Sequence, residues 1–260
     1  MENNFLNYTS QGSGSAVVLL HGFCESKSIW ESFIPAFGQD FTFISIDLPG
    51  FGGSNLCHTI PSMENFAKEV YRLLEHLKVT KCTLIGHSLG GYVALAFAEL
   101  YPQYLNGLVM FHSSAFADSE DKKANRNKTI EFVKTHGSAA FVNTLIPSLF
   151  KESNRKQLAS DIARLIAEAS AIAPQAIIDA SAAMRDRVDR THVLKEINVP
   201  VLYVVGKADE AIPLKTSLEQ CHLASQAYSY FLSNTAHMGM IEEVDNCTRA
   251  INYFLFYCIA

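Results

Sequence analysis

The sequence GHSLG, residues 86–90, stands where a short apolar run gives way to a helical pattern. The run before it, residues 81–85, is predicted to form a buried strand. After it, residues 91–101 carry apolar side chains at helical spacing, which predicts a helix. Ser88 is therefore expected on a tight strand-to-helix turn, at the centre of a Gly-x-Ser-x-Gly sequence.

The two glycines of this stretch have a physical role in such a turn. The backbone must bend sharply, and Gly86 and Gly90 lack the Cβ atoms that would clash there. The turn would expose the Ser88 hydroxyl at the carboxyl edge of a sheet. The unpaired N–H groups and the dipole of the following helix favour negative charge beside it. The pattern predicts a nucleophile elbow.

Four further apolar strands are each followed by a loop that carries polar residues or glycines. They are residues 16–20, 41–46, 199–205 and 227–232. Asp209 lies in the loop after the third of these strands, and His237 in the loop after the fourth. Along the chain, the order of potential catalytic groups is therefore Ser88, Asp209, His237.

This constellation resembles the α/β-hydrolase family over nearly the whole chain outside a central insert. The resemblance implies that Ser88 is the nucleophile, His237 the general base and Asp209 the acid that orients the base. It also points to the backbone N–H groups of Phe23 and Leu89 as the oxyanion hole. Neither a metal nor an organic cofactor is expected.

Other residues near the expected site have competing interpretations. Asp118 is a rival for the acid, because some relatives place that residue after the strand ending near His112. His21 is interpreted as structural, His87 as orienting the elbow, and His112 as a wall of the pocket. The glycine-rich loop after Asp47 could cradle a phosphate, but no Gly-Lys-Ser/Thr sequence supports that function.

The alternation of predicted strands and helices favours an α/β fold with a mostly parallel central sheet and helices on both faces. The strands already described are joined by two more, at residues 5–9 and 108–112. Ser62 is expected to begin a helix, and residues 238–257 to form the last one. Family members start with an additional antiparallel strand, for which the short N-terminus leaves little room.

Residues 114–193 are expected to form an all-helical lid (cap) domain inserted in a core made of residues 1–113 and 194–260. The strand pattern disappears there, and helical patterns are interrupted by Gly137, Pro147 and Pro174. The clearest predicted helix covers residues 154–170, with one apolar face. A lid at this point of the chain would enclose a pocket above Ser88.

Composition limits the other functions that the chain could have. The 260 residues carry a net charge of −5 without a basic run, so nucleic acid is not an expected partner. The stretch Met1–Asn4 lacks the features of a secretory signal, and no apolar run approaches the ~20 residues of a membrane span. A cytoplasmic protein is expected, with its six cysteines reduced.

Three arginines close to the end of the insert, Arg185, Arg187 and Arg190, alternate with Asp186 and Asp189. Local ion pairs at a solvated hinge are the simpler interpretation. The alternative is an arginine clamp for a carboxylate of the substrate.

The sequence as a whole predicts a serine hydrolase that cleaves a small or medium carboxylic ester through an acyl-enzyme. Its substrate is expected to be a small molecule, an ester with an apolar acyl chain. A carbon–carbon bond hydrolase and a cofactor-free perhydrolase could use the same triad. A hydrolase-like ligand sensor, whose lid recruits a partner, is an alternative from another functional class.

Overall fold

A computed structural model describes residues 5–57 and 59–259. The stretch Met1–Asn4, on which the expectation about a secretory signal was based, lies outside these residues. The described chain forms one seven-stranded sheet with the strand order β1-β3-β2-β4-β5-β6-β7. The strands are β1 (Tyr8–Gly12), β2 (Ser15–Leu20), β3 (Phe41–Ile46), β4 (Cys82–His87), β5 (Leu105–Phe111), β6 (Val201–Gly206) and β7 (Ala227–Leu232).

All neighbouring strands run parallel except β1, which pairs antiparallel with β3 at one edge of the sheet. The prediction of a mostly parallel sheet is therefore confirmed. The first strand begins three residues later than the sequence pattern predicts, at Tyr8 instead of Phe5. The short N-terminal stretch is long enough to supply an antiparallel edge strand, because five residues suffice to pair with β3.

Helices cover both faces of the sheet. They are α1 (Met63–His76), α2 (Leu89–Leu100), α3 (Glu120–Ser148), α4 (Ala159–Ser170), α5 (Pro174–Arg185), α6 (Thr191–Glu196), α7 (Leu214–Gln220), α8 (Gly239–Glu242) and α9 (Val244–Ile259). Along β2, Val18 and Leu20 belong to the apolar cluster that contains α1 and α2, and Val17 and Leu19 to the one that contains α9. Both faces of this strand are buried, as the continuous apolar run predicts.

The first helix begins where the sequence predicts. The Ser62 hydroxyl accepts a hydrogen bond from the N–H of Asn65, which satisfies one of the free donors of the first turn of α1. None of the helices in the described part of the chain is both long and apolar enough to cross a membrane.

Four helices, α3 to α6, follow β5 and precede β6, and residues 114–193 contain no strand. We call residues 114–193 the helical insertion. Gly137 interrupts α3 with a φ of 78°, and Pro174 occupies the first turn of α5. The predicted helix over residues 154–170 is shorter than expected, because the chain forms a 3₁₀ turn before α4 begins at Ala159.

The helix predicted over residues 238–257 is instead two helices, α8 and α9, which meet at Glu243. The Glu243 carboxylate turns back to accept hydrogen bonds from the N–H of Asn234 and the hydroxyl of Thr235. The break between the helices therefore fixes the loop that carries His237.

Candidate active site

Ser88 lies on the turn between β4 and α2, with a φ of +49° that few residues other than glycine adopt. A Cβ atom at Gly86 or Gly90 would collide with the backbone carbonyl oxygens of Gly90 and Leu20, respectively. The Ser113 hydroxyl donates a hydrogen bond of 2.8 Å to the carbonyl of Ser88. The strained conformation of the elbow is held by its neighbours, as the sequence pattern predicts.

His237 and Asp209 are in direct contact. The Nδ1 atom of His237 lies 2.7 Å from Oδ2 of Asp209, and both side chains are buried. The other carboxylate oxygen of Asp209 accepts a hydrogen bond of 2.8 Å from the N–H of Ile212. Burial alone would raise the pKa of Asp209, but the adjacent His237 and His112 hold it well below its usual range. Asp209 is therefore ionised at neutral pH.

The backbone of His237 is fixed as firmly as its side chain. Its N–H donates to the carbonyl of Leu149 in the helical insertion, at 2.9 Å. Its carbonyl accepts from Nε2 of His87, also at 2.9 Å. These bonds connect His237 both to the turn beside Ser88 and to the insertion.

Asp118, the rival acid, lies in a different environment. Its carboxylate is fully buried and forms ion pairs with Arg187 at 2.7 Å and with Arg126 at 3.2 Å. Of the two carboxylates considered from the sequence, only Asp209 is hydrogen bonded to His237.

A buried ion pair joins the loop after β2 to the elbow. The Glu25 carboxylate accepts hydrogen bonds from the N–H of Gly22 at 2.7 Å and from Nδ1 of His87 at 3.0 Å. Burial would lower the pKa of His87, yet Glu25 and the carbonyl of His237 raise it. Conversely, burial would raise the pKa of Glu25, and His87 together with the N–H of Gly22 lowers it. Each group of the pair therefore favours the charged form of the other.

Sequence analysis did not identify Glu25. A carboxylate three residues after Gly22, in a loop predicted to carry backbone donors, was the available signal. Its partner His87 is part of the elbow, and the His87 ring links Glu25 to the carbonyl of His237; the orienting role that the sequence suggested stays a prediction.

The backbone groups expected to form an oxyanion hole are available for a ligand. Among residues 5–57 and 59–259, the N–H groups of Phe23 and Leu89 have no hydrogen-bond acceptor in the protein. Phe23 precedes Cys24, whose φ of +61° marks a tight turn. Burial raises the pKa of the Cys24 thiol well above its ordinary value, so this neighbour of Phe23 is not a reactive thiol.

His21 and Asp47 hold neighbouring loops together. His21 donates through Nδ1 to the carbonyl of Gly22 and accepts at Nε2 from the N–H of Leu48. Asp47 accepts from the N–H groups of Lys27 and Gly53. Its glycine-rich loop is thus tied to the protein itself.

His112 lies beside Asp209, with its Nδ1 atom 3.3 Å from Oδ2 of the carboxylate. Burial is the main reason why the pKa of His112 is lowered to about 4, so the ring is neutral at neutral pH. The ligand atoms of His112, Asp209 and His237 lie within 4.8 Å of one another and could hold a cation. However, the 2.7 Å between His237 and Asp209 is the distance of a charge-assisted hydrogen bond.

Ser88 and His237 line the same small cavity, of about 80 Å³. Its wall is formed by loops at the sheet edge and by the helical insertion. Its lining residues are Phe23, Glu25, Ser88, Tyr92, Arg126, Leu145, Leu149, Met184, Ala211, Ile212 and His237. A larger cleft of about 870 Å³ lies beside it, and Glu25 lines both.

The three arginines at the end of the insertion all pair with carboxylates of the protein. Arg185 contacts Asp186, its neighbour in the sequence, as the simpler interpretation predicts. Arg187 instead pairs with Asp118, and Arg190 with Glu64 and Glu99 of the core. The interpretation as purely local pairs is therefore correct only for Arg185.

Comparison with curated proteins finds one relative of similar length and one that is about twice as long. The chain is 28% identical to a pimeloyl-[acyl-carrier protein] methyl ester esterase from Aeromonas hydrophila over 251 residues, covering 94% of this chain and 96% of that protein. It is 26% identical to the biotin biosynthesis bifunctional protein BioHC from Teredinibacter turnerae. That match covers 98% of this chain but only 48% of the longer protein.

Among solved structures, a thermophilic esterase from Thermogutta terrifontis, with malate bound, superposes with a TM-score of 0.93 at 29% identity. The match covers 98% of this chain and 94% of the esterase. The family model described as alpha/beta hydrolase fold matches residues 15–244, which is most of the chain. The chain therefore belongs to the α/β-hydrolase fold family, as its sequence motifs indicate.

Proposed function

We propose that this α/β-hydrolase cleaves a small or medium carboxylic ester through an acyl-enzyme on Ser88. The observation that supports this most strongly is the hydrogen bond of 2.7 Å between His237 and the ionised Asp209, on a histidine that shares a cavity with Ser88. A buried carboxylate in this position fixes the imidazole tautomer and stabilises the imidazolium.

In the first half of the proposed reaction, Ser88 Oγ attacks the ester carbonyl while Nε2 of His237 takes the hydroxyl proton. The N–H groups of Phe23 and Leu89 donate to the oxyanion of the tetrahedral intermediate. A donor of this kind contributes about 3 kcal/mol to the stability of a transition state. The bond to the alcohol oxygen then breaks, and His237 returns the proton to the departing alcohol.

The second half hydrolyses the acyl-enzyme. His237 takes a proton from water, whose oxygen attacks the acyl carbonyl, and the same two N–H groups stabilise the second tetrahedral intermediate. The bond to Ser88 Oγ breaks, His237 returns the proton to Ser88, and the carboxylic acid leaves. No metal or organic cofactor is needed for these steps.

We further propose that the helical insertion serves as a lid and shapes the acyl site. Leu145, Leu149 and Met184 from the insertion line the cavity that contains Ser88. Their side chains offer an apolar surface to an acyl chain, because burial of each methylene stabilises a complex by about 0.8 kcal/mol. The names of the related esterases from Aeromonas hydrophila and Thermogutta terrifontis agree with ester hydrolysis.

A panel of p-nitrophenyl and methyl esters with acyl chains of increasing length tests this proposal, with Ser88→Ala as the blank. We expect turnover by the wild type and none above background in the variant. Cleavage of a vinylogous diketone without ester turnover would favour a carbon–carbon hydrolase. Peroxide-dependent turnover alone would favour a perhydrolase, and tight ligand binding without turnover would favour a sensor.

A further inference from the structure

A charged cluster of the insertion next to the Ser88 cavity carries more positive than negative charge. Asp118 is its carboxylate, which pairs with Arg126 and Arg187 and interacts electrostatically with Lys122, and of these residues only Arg126 lines the cavity. Burial lowers the pKa of Lys122, and the two arginines lower it further, while Asp118 and Asp209 oppose the shift. One carboxylate therefore faces three cations, and a further anion would be stabilised there.

Arg126 is the member of this group that faces the cavity. It lines the cavity together with Ser88 and His237, and its side chain retains 25% of its exposure. Arg187 is 3% exposed, pairs with Asp118 and packs over the ring of Tyr92 at 4.0 Å. The charge of Arg187 is thus already committed to the protein.

The contacts of Arg126 with the described residues occupy only the Nε–H of its guanidinium. Its Nε atom donates to Asp118 at 3.2 Å. Its two Nη groups donate no hydrogen bond to any residue that the structure describes. The bond to Asp118 restricts the orientation of the planar group, so the remaining donors are arranged in advance for a carboxylate.

Acidic groups near the cavity cancel only part of this charge. Glu25 is paired with His87, whereas Asp209 keeps its negative charge, because the proposed mechanism requires a neutral His237 beside it. The larger cleft next to the cavity is different, because no lysine or arginine is among the described residues that line it. An anionic part of a substrate is therefore favoured in the Ser88 cavity and not in the cleft.

We propose that Arg126 binds a second, free carboxylate on the substrate, so that the enzyme prefers half-esters of short dicarboxylic acids to neutral esters. This inference rests on the proposed ester hydrolysis. The small volume of the cavity, about 80 Å³, limits the separation between the ester and the free carboxylate to a few carbon atoms. The guanidinium would bind the carboxylate through the Nη donors that Asp118 does not use.

The test compares monomethyl with dimethyl esters of succinic, glutaric and adipic acids. For wild type, we expect kcat/KM to be at least about tenfold higher for the best monoester than for its diester. This factor corresponds to the weakest free energy expected for a hydrogen bond between charged groups. Arg126→Gln should reduce this preference by about ten- to a hundredfold, and Arg126→Lys should reduce it less. Arg164→Gln, which removes an exposed arginine on another helix of the same insertion, should leave the preference unchanged.

A second measurement does not depend on any variant being stable. Glutarate should inhibit the wild type competitively, more strongly than the uncharged glutaramide, and added salt should weaken this inhibition. Equal kcat/KM for monoester and diester in the wild type would overturn the assignment of Arg126 while leaving ester hydrolysis intact. Failure to hydrolyse either ester, together with inert p-nitrophenyl esters, would instead count against the proposed function itself.

Discussion

The Ser88 cavity has two sides that differ in how their charges are balanced. On the sheet edge, each acid has its own histidine, Asp209 with His237 and Glu25 with His87, and all four side chains are buried. On the insertion side, Asp118 is shared between Arg126 and Arg187. On the sheet edge each carboxylate is engaged by its own histidine, whereas the insertion side carries excess positive charge.

This difference suggests that one side of the cavity serves the chemistry and the other serves substrate recognition. Groups that are paired and held by several hydrogen bonds cannot easily adjust to a ligand, which suits chemistry that depends on fixed geometry. A guanidinium with free donors can exchange solvent for a ligand, which suits recognition. Changes on the sheet edge should therefore lower kcat, whereas changes on the insertion should alter the choice of substrate.

The largest effect is expected at Ser88. Ser88→Ala removes the atom that carries the acyl group, so kcat should fall by ~10⁴ or more without loss of the fold. Steady-state kinetics with a p-nitrophenyl ester, accompanied by circular dichroism, measures this change. An alanine variant that retained esterase activity would remove Ser88 from the mechanism.

The next effect separates the two carboxylates. Asp209→Asn keeps the shape of the hydrogen bond to His237 but favours the wrong imidazole tautomer, and kcat should fall by ~10³ or more. Asp118→Asn is the matched change on the insertion side, where it leaves Arg126 and Arg187 in place, and its effect on kcat should be far smaller. If Asp118→Asn were the more damaging substitution, the acid would have to be reassigned.

The buried pair of Glu25 and His87 should act on catalysis through position alone. Glu25→Gln weakens the hydrogen bonds that Glu25 accepts from Gly22 and His87. His87 in turn donates a hydrogen bond to the carbonyl of His237. If His237 shifts by about 1 Å as a result, kcat should fall by about 10²-fold with little change in KM. Glu168→Gln, which changes an acid of the neighbouring cleft, is the control. An equal loss in both variants would point to a general effect of acidic residues.

These contributions differ in how far the sequence could predict them. Ser88 was predictable because a strained turn requires glycines at fixed positions, and that requirement is visible in five consecutive residues. Asp209 and His237 were predictable because the loops after parallel strands meet at one edge of the sheet. The elbow thus follows from a local pattern, whereas the roles of Asp209 and His237 follow from their order along the chain and the resemblance to the α/β-hydrolase family, and these roles remain predictions.

Arg126 and Glu25 could not be predicted in the same way. Arg126 occurs on a helix with several other charges, and only the fold brings it to the same cavity as Ser88. The role of Glu25 depends on His87, 62 residues away. The break between α8 and α9 could not be predicted for the same reason, because it depends on contacts that Glu243 makes with the preceding loop.

A smaller effect concerns the apolar part of the insertion. Each methylene that fits between Leu145, Leu149 and Met184 should raise kcat/KM about three- to fourfold, until the cavity is full. Leu145→Ala should shift the preferred neutral ester to a longer acyl chain. The control is Phe132→Ala, on the same helix but not among the residues lining the cavity. An unchanged optimum in Leu145→Ala would place the acyl chain elsewhere.

Point substitutions serve this test better than removal of the insertion. The N–H of His237 donates to the carbonyl of Leu149, so deletion of residues 114–193 would also disturb the histidine that we propose as the general base. Loss of activity in a truncated protein would then say nothing about chain length.

The smallest expected effect is a change of stability with pH. Because the folded-state pKa of His87 is raised above 6.5, the protonated ring stabilises the fold below that value, and this contribution is lost as pH rises through the folded-state pKa. The lowered pKa of Glu25 stabilises the fold above 4.5, and that contribution is lost as pH falls from 4.5 through the folded-state pKa. Thermal melting from pH 3 to 10 should show both declines, and the alkaline decline should be weaker in Glu25→Gln.

The proposed chemistry depends above all on a covalent bond to Ser88, and mass spectrometry after treatment with a fluorophosphonate tests it most directly. We predict one added phosphonyl group per wild-type chain, located by peptide mapping at Ser88, with loss of esterase activity in proportion to labelling. Ser88→Ala should remain unlabelled, while Ser113→Ala, which keeps the nucleophile, should still be modified. Labelling of the Ser88→Ala protein to the same extent, or modification of the wild type at another residue with equal loss of activity, would contradict the account.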